Sequence, residues 1–248
     1  HVVGPGKAID TDDFFVVCSN CLGACKGSTG PASENPATPG KAYGMLFPDL
    51  TIKDMVRAQK KLLDFLGIES LHAVVGGSMG GMQALQWIVE FPDFVEKALI
   101  IAATARHNAQ TIAFNEVGRR SICGDREWKS GDYLDGEGPR EGLAVARMMA
   151  HITYLSDQGL ERKFGRDRRQ ESKSLTEVEF EVESYLRHQG KSFVNRFDAN
   201  TYLRILDAWQ SFDILKESGF DNFKDMFSRC THQNYLIFTI NSDVCFYP

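Results

Sequence analysis

The chain has 248 residues, 43% hydrophobic and 25% charged, with a formal net charge of -5 and a pI near 5.7. That length carries one large domain, or a core with a smaller domain inserted, and the acidic balance excludes the basic face that nucleic acid or an anionic membrane surface requires. No apolar run approaches membrane-spanning length, and a start at His1 rather than Met reads as a piece of a longer protein, leaving room for a removed targeting segment.

In chain order, Asp13-Phe14-Phe15-Val16-Val17-Cys18 is a continuous apolar run that predicts a buried strand. Gly23 to Pro48, rich in Gly, Pro, Ser and Thr, predicts an extended surface segment. Thr51 is placed to cap a helix running to about Leu66, with Met55, Val56, Leu62, Leu63 and Leu66 as its apolar stripe, Lys53, Arg57, Lys60 and Lys61 facing solvent, and Gly67 ending it. Six cysteines include Cys18, Cys21 and Cys25, but these lack a second pair at zinc-site distance and the rest are scattered. Reduced, mostly buried thiols in a cytoplasmic protein are the reading, with no metal and no bound cofactor.

Leu71 to Trp87 organises the chain: an apolar run breaks at Gly76-Gly77-Ser78-Met79-Gly80-Gly81 and resumes with helical spacing. Gly76, Ser78 and Gly80 fill the G-x-S-x-G pattern of a strand-turn-helix elbow, in which a strained backbone presents a nucleophilic serine. Ser78 is then the candidate nucleophile, and the N–H of Met79, at the helix start, points at a developing oxyanion. The bland alternative is a serine that caps the helix. A second buried strand follows over Lys97 to Ala103, so strand and helix alternate as in a right-handed parallel α/β sheet.

From about His107 to Arg229 strand signals disappear. Gln110 to Ile122, Gly142 to Leu155, Thr176 to Gln189 and Ala199 to Phe212 read as helices, with a charged loop over Arg166 to Lys173, and such a block inserted into a sheet is a lid that shapes a pocket. The sheet resumes over Asn234 to Ile240. Asp243 follows at its carboxyl end, as a turn residue or as the acid of a catalytic triad. The resulting organisation is a core over 1–106, a helical lid over 107–230 and a core strand over 231–248.

Several blocks are similar to the homoserine O-acetyltransferase family of α/β-hydrolase-fold acyltransferases. They include Gly27-Ser28-Thr29-Gly30-Pro31-Ala32-Ser33, Gly76 to Gln86, Phe114-Asn115-Glu116-Val117-Gly118-Arg119, His151 to Asp157 and Arg196-Phe197-Asp198-Ala199-Asn200. The resemblance implies an α/β-hydrolase fold with a mostly parallel sheet and an inserted helical lid. It implies transfer of the acetyl group of acetyl-CoA to the hydroxyl of L-homoserine, towards methionine, in a homodimer joined through the lid. It assigns Ser78 as nucleophile, Met79 as oxyanion donor, Asp243 as triad acid, Arg147 as the ligand of the amino-acid carboxylate and Tyr154 as a lining residue of the same pocket. The family's triad histidine lies further along than this sequence reaches, its first strands lie earlier, and His151 and His232 are poor substitutes. A chain so truncated is expected to be inactive.

The chemistry fits these residues. A serine hydroxyl attacks only when a base takes its proton, and the base needs a carboxylate to fix its tautomer. Transfer then proceeds in two halves, with water as the competing nucleophile that a lid excludes. Arg147 and Tyr154 are seven positions apart, two turns along one helix face. The alternatives are a serine O-acyltransferase or homoserine O-succinyltransferase of the same fold, a hydrolase, and a non-catalytic module.

Overall fold

The structure, a computed structural model, describes residues 1–134, 136–169, 174 and 177–246. After an irregular N-terminal segment comes α1 (Ile52–Phe65), which starts where Thr51 and Asp54 exchange bonds: the Thr51 Oγ1 accepts from Asp54 N at 3.1 Å and Asp54 Oδ2 from Thr51 N at 2.9 Å. This capping box satisfies two of the backbone donors that a helix start leaves open. The buried face is Ile52, Met55, Val56 and Leu63, whereas Leu62 and Leu66 are exposed. The expected stripe is corrected here: Gln59 continues the inward face, bonded to Gln83 at 2.6 Å and to the Trp87 indole N–H at 2.7 Å.

The elbow strand β1 (Val74–Gly77) leads into α2 (Met79–Glu90), and β2 (Lys97–Ile101) and β3 (Asn234–Phe238) complete a parallel sheet of order β1-β2-β3. The register pairs Val75 with Leu99 and Leu99 with Leu236. α2 lies between this sheet and α1 and is buried continuously from Gly81 to Ile88, as a two-sided packing position demands.

The expected strand at 13–18 does not form: the segment is irregular, and Phe15 is 83% exposed. An apolar run becomes a strand only when a ladder partner lies beside it, and among the described residues none does. Phe14 instead stacks on His72, ring centroids 5.2 Å apart. The side chains of Leu236, Ile237 and Phe238 on β3 are exposed as well.

The helical block contains α3 (Ala109–Gly124), α4 (Arg140–Tyr154), α5 (Asp157–Phe164), α6 (Glu181–Phe193) and α7 (Ala199–Gln210), followed by the short α8 (Ile214–Ser218) and α9 (Phe223–Ser228). α5 follows Ser156, whose Oγ accepts from Gly159 N, a cap that the sequence pattern missed. The expected helix start at Thr176 and loop residues 170–173 lie outside the described residues. Ile122, Tyr133, Leu143, Ala146, Phe193 and Leu203 form a second core under α3, α4, α6 and α7, separate from the core of sheet, α1 and α2. α7 joins the two, with Leu203 in one and Ala208 in the other.

All six cysteines are free; Cys230 and Cys245 are buried, but Cys18 is exposed and the other three are intermediate, so the expectation of mostly buried thiols holds for two. Among the described residues no group of three His, Cys, Asp or Glu side chains could hold a metal ion. None of their helices is long and apolar enough to cross a membrane.

Candidate active site

Ser78 stands between β1 and α2 with φ 56° and ψ -125°, a backbone conformation that costs an L-residue of order 1–3 kcal/mol and persists only where its surroundings enforce it. Those surroundings are identifiable. Ser78 N–H donates to the Ile101 carbonyl at 2.9 Å, and the Ser78 carbonyl accepts from Gly81 and Met82 N–H at 2.9 and 3.1 Å. A Cβ on Gly76 would lie 2.0 Å from the Gly80 carbonyl oxygen, and one on Gly81 would lie 2.6 Å from Ala103 Cβ. A Cβ on Gly80 meets nothing within 4 Å, so Gly81, not the second glycine of the pattern, is the position that must stay bare. The Ser78 side chain makes no helix cap and is exposed, which disposes of the capping alternative. The Met79 N–H is among the opening amides of α2, which have no acceptor within the helix.

Asp243 follows β3 in a turn. Its N–H donates to Ile240 O at 2.9 Å, and its Oδ1 accepts from Cys245 N and Phe246 N, both at 2.8 Å. One carboxylate oxygen thus fixes the carboxylate's own loop, as a turn aspartate does, while no hydrogen bond to Oδ2 is found among the described residues. The loop is tied to the lid: Thr111 Oγ1, 2% exposed on α3, donates to Cys245 O at 2.7 Å. Burial, partly offset by the Thr153 hydrogen bond, pushes the Cys245 thiol up to about 11.

Arg147 and Tyr154 come together on α4, with the Arg147 guanidinium carbon 5.6 Å from the Tyr154 ring centroid and 4.6 Å from that of Phe193. Although Tyr154 as a whole is 52% exposed, its phenol end is desolvated, which raises its pKa, and Arg147 draws it back. The Arg147 Nε is buried without a hydrogen-bond partner among the described residues. Beside them a cavity of about 30 Å³ is lined by Thr111, Asn115, Thr153, Tyr154, Tyr202 and Cys245 among others. It joins the helical block to the Asp243 loop. Burial, with Tyr154 adding to it and Arg147 opposing, raises the Tyr202 phenol.

His151 and His232 stand elsewhere. His151 Nδ1 lies 3.0 Å from Tyr185 Oη inside the lid, and His232 Nε2 lies 3.0 Å from Pro92 O at the opposite end of the sheet from Ser78. Neither is bonded to Ser78 or Asp243 among the described residues. Thr111, Asn115, Tyr202 and Cys245 were not foreseen as lining groups; the available signal was a polar residue, Asn115, on the inward face of an amphipathic helix.

The sequence pattern of the family described as alpha/beta hydrolase fold matches residues 6–246. The chain is 56% identical to a homoserine O-acetyltransferase of Methanobrevibacter ruminantium over 98% of its own length and 49% of that protein's. To one of Caulobacter vibrioides it is 53% identical over 98% and 64%. Among solved structures it is similar to the homoserine O-acetyltransferase from Bacillus anthracis, with TM-score 0.89 and 28% identity over 99% of this chain and 67% of that one. Esterase E22 gives TM-score 0.87 and 32% identity over 100% and 68%. The chain therefore spans about half to two thirds of the length of the relatives it matches. It belongs to the alpha/beta hydrolase fold family.

Proposed function

We propose that the protein of which this chain is part transfers the acetyl group of acetyl-CoA to the hydroxyl of L-homoserine, a step towards methionine. The observation that carries the reading is identity above one half, over nearly the whole chain, to proteins named homoserine O-acetyltransferase. The positive φ of Ser78 agrees with it.

In the first half-reaction Ser78 Oγ attacks the thioester carbonyl, the carbon–sulfur bond breaks, and coenzyme A leaves as the thiol with the proton that Ser78 gave up. The Met79 N–H stabilises the oxyanion, a contribution worth about 2.7–4 kcal/mol per donor in serine enzymes. In the second half-reaction the homoserine hydroxyl attacks the acetyl-serine carbonyl, and its proton returns to Ser78 through the base. Asp243 orients that base, a histidine that the family resemblance assigns to a later segment. Arg147 holds the acceptor's carboxylate and Tyr154 lines the same pocket. The helical block over 107–230 acts as the lid, coenzyme A is a co-substrate rather than a resident cofactor, and the working form is a cytoplasmic homodimer joined through the lid.

A hydrolase is the second reading, favoured by the likeness to esterase E22. The test is coenzyme A thiol release by the full-length protein with and without L-homoserine, alongside intact-mass detection of acetylated protein. Thiol release that depends on homoserine, with an acetyl adduct absent from Ser78→Ala, supports transfer. Release at the same rate without homoserine makes the protein a hydrolase, and an adduct that survives Ser78→Ala removes Ser78 as nucleophile.

A further inference from the structure

Asn115 carries an amide nitrogen that none of the described residues satisfies. It is 7% exposed on α3, and its Nδ2 has no hydrogen-bond partner among the described residues. It lines the small cavity between α3, α4, α7 and the Asp243 loop, which also contains Tyr154 and Tyr202. One turn on, a Cβ on Gly118 would lie 3.5 Å from Tyr202 Oη and 3.6 Å from Ala146 Cβ, so α3 meets α4 and α7 closely at this point. The Arg147 guanidinium carbon lies 5.6 Å from the ring centroid of Tyr154, a lining residue of that cavity, and the Arg147 Nε is likewise buried with no partner among the described residues.

Buried amides are nearly always hydrogen-bonded, because an unmade bond forfeits hydration without replacement. An apolar side chain of similar shape would fill this position at lower cost. Both unpaired groups are donors, since a guanidinium has no acceptor and an amide nitrogen only donates. None of the residues lining the cavity is acidic. At about 30 Å³ the cavity admits a water or a group of carboxylate size and is far too small for a coenzyme.

We propose that Asn115 Nδ2 donates, together with Arg147, to the carboxylate of a small α-amino-acid acceptor, which makes Asn115 a specificity-determining residue. This inference rests on the acyl-transfer reading above. The carboxylate supplies the acceptor that both donors lack, and the unpaired amide is tolerated in the free protein because the substrate completes it.

The test is steady-state kinetics and thermal unfolding of the full-length protein, with L-homoserine and with the amino diol in which CH2OH replaces its carboxylate. In Asn115→Leu the thermal midpoint is expected to rise, while KM for L-homoserine rises by a factor on the order of 10 to 100 and kcat changes far less. Asn115→Asp, equal in shape but repelling an anion, is expected to lose more than Asn115→Leu with L-homoserine and to match it with the amino diol. An unchanged KM in Asn115→Leu, or Asn115→Asp performing as well as the wild type with L-homoserine, overturns the assignment. If Asn115→Leu fails to fold, Asn115→Ala, which removes the donor on a smaller side chain, supplies the KM measurement under the same criterion. Absence of acetyl transfer to L-homoserine by the wild type removes the functional reading and this inference with it; transfer with an unmoved KM removes only the role of Asn115.

Discussion

His107 gives the protein a specific sensitivity to acid. It is 8% exposed, neither ring nitrogen has a hydrogen-bond partner among the described residues, and its ring lies edge-on to Trp209 at 5.0 Å and 5.9 Å from Phe246. Burial lowers its pKa from 6.5 to about 4. The unfolded chain therefore takes up a proton near pH 6.5 that the folded chain refuses until about pH 4, so this contribution to stability is present above the unfolded value and is lost as pH falls through that window. Between pH 7 and pH 4.5 the loss amounts to about 2.5 kcal/mol, a large share of the 5–15 kcal/mol that folded domains possess. The assay is reversible urea unfolding of wild type and His107→Leu at both pH values. At pH 7 the two should be close, since the substitution breaks no hydrogen bond; at pH 4.5 the wild type should have lost about 2.5 kcal/mol more than the variant. Parallel losses in the two proteins, or an imidazole of His107 that titrates near 6.5 by NMR, would refute the argument.

At the elbow, Gly76→Ala should unfold or severely weaken the protein, because its Cβ would lie 2.0 Å from the Gly80 carbonyl, whereas Gly80→Ala, open around its Cβ and inside α2, should be neutral or stabilising by up to about 1 kcal/mol. Equal thermal shifts for the two would remove the steric account of the turn. At Glu90, burial alone would raise the carboxyl pKa, but the hydrogen bonds from Arg57 and Lys53 outweigh it and hold it below the usual glutamate value. Glu90→Gln should therefore cost about 1 kcal/mol at pH 7, discounted for the exposed Arg57, and the difference from wild type should shrink as pH falls through the lowered pKa of Glu90. A cost that stays constant down to pH 3 in urea titrations would show that packing, not charge, is responsible.

What was legible in the sequence was what is decided locally. The elbow could be read because Gly76, Ser78 and Gly80 fall within five residues, and the start of α1 because Thr51 and Asp54 cap each other across a single turn. The strand expected at 13–18 was illegible for the opposite reason: its apolar residues satisfy the pattern, but pairing is a property of a neighbour, and a pattern does not specify one. Leu62 and Leu66 illustrate a milder version, since the width of a helix's buried stripe depends on what packs against it, and here Gln59 faces inward in place of a leucine. The site divides the same way. Ser78 and Met79 follow from the turn, and Arg147 and Tyr154 from family resemblance with helical spacing. The contact that ties the Asp243 loop to the lid runs from Thr111 to Cys245 over 134 positions, and nothing at either residue announces the other. The unpaired amide of Asn115 becomes visible only when α4, α7 and that loop have closed around it and failed to supply an acceptor. A functional group that depends on a ligand for its hydrogen bond shows itself as a defect in the folded protein, and a defect exists only relative to neighbours that the sequence does not name.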